Sequence, residues 1–96
     1  MEKNSEFLAK IGAHLKSWDT QVDALAAEGE KADGESRKAY YEQVKDLRAG
    51  RDEVRKTFEK IRFATESAGS QMHAGMQLAW ETMQKALVKA SSDLRK

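Results

Sequence analysis

Apolar residues recur along nearly the whole chain at alternating steps of three and four. Leu8, Ile11, Leu15, Trp18, Val22 and Leu25 form one unbroken series, which fades through Gly29 and Ala32. A second series runs Tyr40, Val44, Leu47, Arg51, Val54, Phe58 and Ile61, with an arginine at one seam position. A third runs Met76, Trp80, Met83, Leu87, Ala90 and Leu94. Such steps return each side chain to one face of an α-helix, whereas a strand would alternate every second residue. No segment alternates in that way, and there is no proline to interrupt a helix. The fold class expected is all-α.

Phase slips between the series mark where helices end. Extending the first series puts a seam position at 36 where the second requires 37, and extending the second gives 79 where the third prefers 80. Both slips fall on breaker-rich stretches, EGEKADGES (28–36) and ESAGSQ (66–71). Asp33-Gly34 can stop one helix and Ser36 cap the next, and Gly69-Ser70 can do the same for the second break. The chain therefore reads as one helical domain, 1–96, with helices over about 5–32, 36–66 and 70–95. Helices of similar length joined by short links favour an antiparallel three-helix bundle roughly 40–45 Å long. A second architecture stays open. An eleven-residue repeat absorbs the first slip without a break, giving a long helical hairpin whose first helix has about 60 residues and spans about 90 Å. Half of that rod would need a second chain to cover it. Gly50 is not a turn, because Leu47, Val54 and Phe58 keep phase across it.

Charge narrows the partner classes. The net charge is only +1, but residues 1–36 hold four bases against eight acids, residues 37–66 nine against six, and residues 67–96 four against two. The imbalance suits an acidic helix beside a basic one, and is too mild to require a polyanion. The middle helix carries opposite charges four apart, at Lys38–Glu42, Arg48–Asp52, Asp52–Lys56, Arg55–Glu59 and Arg62–Glu66, each pair contributing a few tenths of a kcal/mol. No nucleic-acid partner is expected through Arg37, Lys38, Lys45, Arg48, Arg51 and Arg55, since acids interleave these bases and weaken their field. With no cysteine, disulfides, thiolate metal sites and a cysteine nucleophile are excluded. No apolar run reaches the length of a membrane span and MEKNSEFLAKIGAHLKSW has no secretory h-region, so a cytoplasmic protein is expected.

The stretch QMHAGMQLAWETMQKAL (71–87) concentrates Met72, Met76 and Met83 with His73 and Trp80. At 100° per residue, Met72, Met76, Trp80, Met83 and Leu87 fall within an arc of about 80°, the width of a core stripe. Methionine fills irregular gaps and its sulfur packs well on indole. A copper(I) site would need Met72, His73 and Met76 to converge on one point, and no second cluster supports it. His14 has no metal-spaced partner, and HExxH or ExxH signatures are absent. No metal and no cofactor are expected. Trp18, Tyr40, Phe58, Met76, Trp80 and Met83 are the core or interface anchors, with Trp18 and Trp80 placed to meet in the interior. There is no glycine-rich phosphate cradle, nucleophile elbow or histidine paired with a hydroxyl, so no enzymatic activity and no catalytic residue are expected.

Four large apolar residues lie off the stripes. Tyr41 points aside from the seam, Phe63 flanks it, and Leu78 and Val88 lie far from the third series. Together they suggest a second edge for a partner surface. Three thin helices make a small core, which favours a homo-oligomer, most simply a dimer, or docking on another helical protein. A peripheral membrane-surface binder of the apolipoprotein type is the alternative, motivated by the Met/Trp stripe with Lys85, Lys89, Arg95 and Lys96.

The segments KSWDTQVDALAAEGEKAD, AYYEQVKDLRAGRDEVRKTFEKIR and AGMQLAWETMQKALVKASSDL resemble a family of short bacterial coiled-coil stress-response proteins. The resemblance is carried by Trp18-Asp19, by Tyr40, Gln43, Val44, Leu47-Arg48-Ala49 and Arg51, and by Gly75, Ala79-Trp80 and Met83, and it spans about residues 10–94. It implies a helical protein without assigned enzymatic activity or cofactor, connected with stress. Two departures are visible. Relatives often carry a further tryptophan where this chain has Gly69, which implies a sharper turn here. Many also lack the glycines of 29–34, which leaves the long-rod architecture open for the family. The function expected is thus that of a non-enzymatic, self-associating coiled-coil protein.

Overall fold

Phe7, Ile11, Leu15, Trp18, Val22 and Leu25 are all buried along one side of a single helix, α1 (Asn4–Lys31). In the computed structural model, which describes residues 3–95, α1 is followed by α2 (Gly34–Arg62), the short α3 (Glu66–Gln71) and α4 (His73–Leu94). The described residues contain no strand, and the protein is all-α. Pairing across helices gives the topology. Between α1 and α4 the sequence offset stays nearly constant, at 69 for Asn4–His73, 65 for Trp18–Met83 and 67 for Glu28–Arg95, so these two helices run parallel. Between α1 and α2 the offset widens from 25 at Asp23–Arg48 to 32 at Asp19–Arg51, so these run antiparallel. The result is an up-down-up bundle measuring 50 × 18 × 16 Å. These dimensions, and the break after Lys31, exclude the continuous 90 Å rod.

The link between α1 and α2 is only Ala32 and Asp33. Gly34 opens α2 at φ +54°, a left-handed conformation that a β-carbon would disfavour. Ser36 is therefore not the cap that the sequence suggests. Asp33 holds that position, and its carbonyl accepts from the Ser36 N–H at 3.1 Å. So short a link brings the helices close, and a β-carbon on Gly29 would stand 2.6 Å from Cβ of Tyr40. This explains why the first apolar series thins to glycine just before the turn.

The second break also differs from expectation. The stretch ESAGSQ is not a loop but α3, and the chain turns earlier, over residues 63–65. Thr65 caps α3 by accepting the Ala68 N–H on its hydroxyl at 3.2 Å, a standard threonine N-cap. Helicity pauses once more at Met72 and resumes, the Met76 N–H returning to the Met72 carbonyl at 2.9 Å. Gly69 is buried against the side chain of Asn4, which a β-carbon there would overlap. The glycine serves helix contact, not a turn.

The core combines the α1 series with Val44, Leu47, Val54 and Ile61 of α2 and Met76, Met83, Leu87 and Ala90 of α4. Arg51, the arginine in the α2 seam, turns its guanidinium outward to Asp19 of α1 at 3.0 Å. The acidic and basic helices are thus neighbours within one chain. The expected ladder along α2 is largely replaced: Arg48 reaches Asp23, Lys56 pairs with Glu53, and Arg62 with Glu59. Glu66 instead accepts from the Asn4 main chain.

Candidate interaction surface

The Met/Trp stripe faces inward. Met76 is wholly buried, Met83 and Leu87 nearly so, and Met72 and Trp80 pack against the same cluster. His73 is committed to the bundle's lower end. Its ring stacks on Phe7 with centroids 4.0 Å apart and planes 9° apart, and its Nε2 lies 2.8 Å from Asn4 Oδ1. The Asn4 amide donates to the Thr65 carbonyl at 3.1 Å, so Oδ1 is its acceptor end and His73 carries the proton on Nε2. His73 is thus engaged by Phe7 and Asn4, and Met76 by the core. Among the described residues no three His, Asp or Glu side chains are grouped to hold a metal ion.

That lower end is a polar clasp which the sequence did not advertise. Asn4 is the one buried polar or charged residue among the described residues. Its main-chain N–H, one of the unpaired donors that begin a helix, gives to the Glu66 carboxylate at 3.0 and 3.2 Å. Glu66 thus closes α1 from another element, with its negative charge at the favourable end of the helix dipole. Asn4 alone in sequence reads as an ordinary helix-start residue, and no spacing ties it to residues some sixty positions later.

A second clasp closes the upper end. Arg95 donates to both oxygens of Glu28 at 2.7 and 3.0 Å. The Tyr40 hydroxyl lies 3.4 Å from Glu28 and 3.3 Å from the Leu94 carbonyl, two acceptors for its one proton. The hydrogen bonds from Arg95 hold the Glu28 carboxyl below its ordinary value, assisted by the Arg95 charge, Tyr40 and Lys31. The same pairing raises Arg95.

The other anchors fall into two groups. Trp18 is buried and donates its indole N–H to the Met83 carbonyl at 3.2 Å. Tyr40, Phe58 and Trp80 are partly buried around the core. Trp80 packs against the buried cluster that contains Trp18. Its ring also stacks on His14, centroids 5.2 Å apart, because parallel α1 and α4 set residues of similar height side by side, and residue 14 matches residue 80.

Every buried side-chain nitrogen and oxygen among the described residues has a hydrogen-bond partner. The grooves between helices are open to solvent. One of them, between α1 and α2, is bordered by Arg37, Lys45, Arg48 and Asp52 of α2 and by Glu30 of α1, with Tyr40 and Tyr41 among its lining. It offers charge and aromatic surface but no hydroxyl–imidazole or paired-carboxylate arrangement for proton transfer.

Among the charged and polar side chains of the described surface, four large apolar ones stand exposed. Tyr41, Phe63, Leu78 and Val88 are 70%, 77%, 64% and 58% exposed. They do not make the single edge suggested by sequence. Tyr41 borders the α1–α2 groove and Val88 an α1–α4 groove. Phe63 follows the last turn of α2, its ring under the Arg62 guanidinium at 5.3 Å. Tyr41 and Phe63 stand about 33 Å apart along α2, whereas Leu78 and Val88 share the outward side of α4. No helix is long and apolar enough to cross a membrane among the described residues. No family model, curated protein or solved structure gives a significant match to the chain.

Proposed function

We propose that this chain is a non-catalytic helical protein that works by associating with itself through outward helix faces. The observation that carries this reading is the exposure of Leu78 and Val88, 64% and 58%, on a helix whose opposite face already fills the core. Large apolar side chains held in water are a standing gain for any partner that covers them. The buried polar side chains of the described residues are paired within the bundle, which is consistent with a molecule whose interior serves to hold helices together. The resemblance of the Trp18, Tyr40–Arg51 and Gly75–Met83 segments supports a connection with stress.

Light scattering over a range of concentration tests the proposal. The expected result is a mass that rises from monomer toward dimer with protein concentration. A constant monomer mass up to several hundred micromolar, well above a Kd of about 1 μM at −8 kcal/mol, would overturn it.

A further inference from the structure

Helix α4 carries a second stripe of heptad spacing on the side away from the core. Ala74, Leu78, Glu81, Lys85, Val88 and Ser92 follow one another at steps of four and three, and all six are exposed. At 100° per residue they fall within an arc of about 80°, roughly opposite the core stripe of Met76, Met83, Leu87 and Ala90. Each outward residue lies two positions before a residue of the inward series. The helix is therefore built with two seams, one spent on the bundle and one without a partner in the chain.

We infer that this outward stripe is the docking site for the same stripe of a second copy, the two α4 helices lying antiparallel about a two-fold axis at the level of Met83. The inference rests on the self-association reading and names its surface. Its ground is the self-complementarity of the stripe. Reversing the direction of one copy about residue 83 sets Leu78 against Val88, Glu81 against Lys85, and Ala74 against Ser92. Every layer is then made of unlike charges, of two apolar side chains, or of two small residues, and each occurs twice, as an isologous interface requires. In heptad terms each layer joins an a position to a d position, the pairing that an antiparallel coiled coil makes. A parallel pairing would instead face Glu81 with Glu81 and Lys85 with Lys85 across the axis. The charged layer thus selects direction, while Leu78 and Val88 supply the attraction.

Within the chain the charged pair is available. Neither Glu81 nor Lys85 joins an ion pair among the described residues, and Glu81 has only a 3.5 Å hydrogen bond from Gln77. Flanking Gln77, Thr82 and Gln84 are uncharged, so the rim brings no repulsion to the axis. A contact limited to one helix face belongs to the smaller interfaces, below about 1,200 Å² in total, and the dimer is accordingly concentration-dependent.

Sedimentation velocity of the full chain, with Glu81→Lys, Lys85→Glu and the double swap, tests the geometry. Each single swap sets like charges together twice and is expected to weaken the dimer by about tenfold or more, whereas the double swap restores it. A wild-type dimer indifferent to all three changes would overturn this surface and leave self-association standing; a monomeric wild type would overturn both. Direction is read separately by oxidation of this cysteine-free chain carrying Leu78→Cys or Val88→Cys. The mixture of the two variants is expected to crosslink faster than either alone, since like positions lie about 15 Å apart along an antiparallel pair. Faster crosslinking of each variant with itself would overturn the antiparallel arrangement. Circular dichroism of each variant establishes that the exposed substitutions leave the bundle folded, and Leu78→Ser with Val88→Ser provides a second, uncharged disruption expected to give a monomer.

Discussion

The indole N–H of Trp18 donates to the main-chain carbonyl of Met83 at 3.2 Å, joining the midpoints of two parallel helices through the largest fully buried side chain of the molecule. The ring fills the space between α1 and α4, and its one polar atom is satisfied there.

Replacing Trp18 removes both contributions. Trp18→Phe keeps a ring but loses the hydrogen bond and part of the volume, and is expected to cost about 1–3 kcal/mol. Trp18→Ala leaves a cavity and is expected to cost about 3–5 kcal/mol. Urea denaturation followed by circular dichroism measures both, and a loss below that of a typical surface change for Trp18→Ala would contradict the packing described.

Glycines at different places should respond with opposite sign. Gly50 has open space around a would-be β-carbon in mid-helix, so Gly50→Ala is expected to stabilise by about 0.5–1 kcal/mol. Gly69→Ala drives a methyl group into the Asn4 side chain and is expected to destabilise by about 1–3 kcal/mol. In an Asn4→Ala background the obstruction is gone, and the Gly69→Ala penalty should shrink. A double-mutant cycle reads that coupling directly; additive effects would show that the two residues do not touch.

Acid should release the upper clasp. The Glu28 carboxyl is depressed below its ordinary 4.5, first by the hydrogen bonds from Arg95. A depressed folded-state value means that the unfolded chain takes up the proton first as pH falls. The clasp's contribution is therefore complete above about 4.5 and fades as pH drops through the lower folded value. The difference in melting temperature between wild type and Glu28→Gln is expected to be greatest near neutrality and to narrow below pH 4.5. A difference that persists unchanged into strong acid would speak against the carboxylate as its source.

The Arg51–Asp19 pair should matter modestly and respond to salt. Its side chains are 24% and 43% exposed, so water screens much of the attraction, and Asp19→Asn is expected to cost about 0.2–1 kcal/mol. The cost should fall between low salt and 1 M salt, where the screening length is about 3 Å. Thermal melts of both proteins at the two ionic strengths supply the comparison.

The sequence by itself determined the fold class and the three long helices, but not the short α3. The three-and-four spacing identified the buried face of α1 from Ile11 to Leu25 and of α4 from Met76 to Ala90, because helical burial follows a period that local spacing records. It also placed the first break near Asp33-Gly34, and singled out Leu78 and Val88 as residues the core does not use. What only the tertiary structure decided depends on residues distant in the chain. Thr65, Glu66 and Gly69 look like a loop until Asn4 is set against them, and Arg51 looks like a flaw in a seam until Asp19 stands beside it. That Trp80 lies on His14 is likewise a matter of how far one helix slides along another. Periodicity fixes the direction in which a side chain points around its own axis, but carries no information about its height against a neighbour. Here that height is set by the two-residue link after α1 and the turn at residues 63–65.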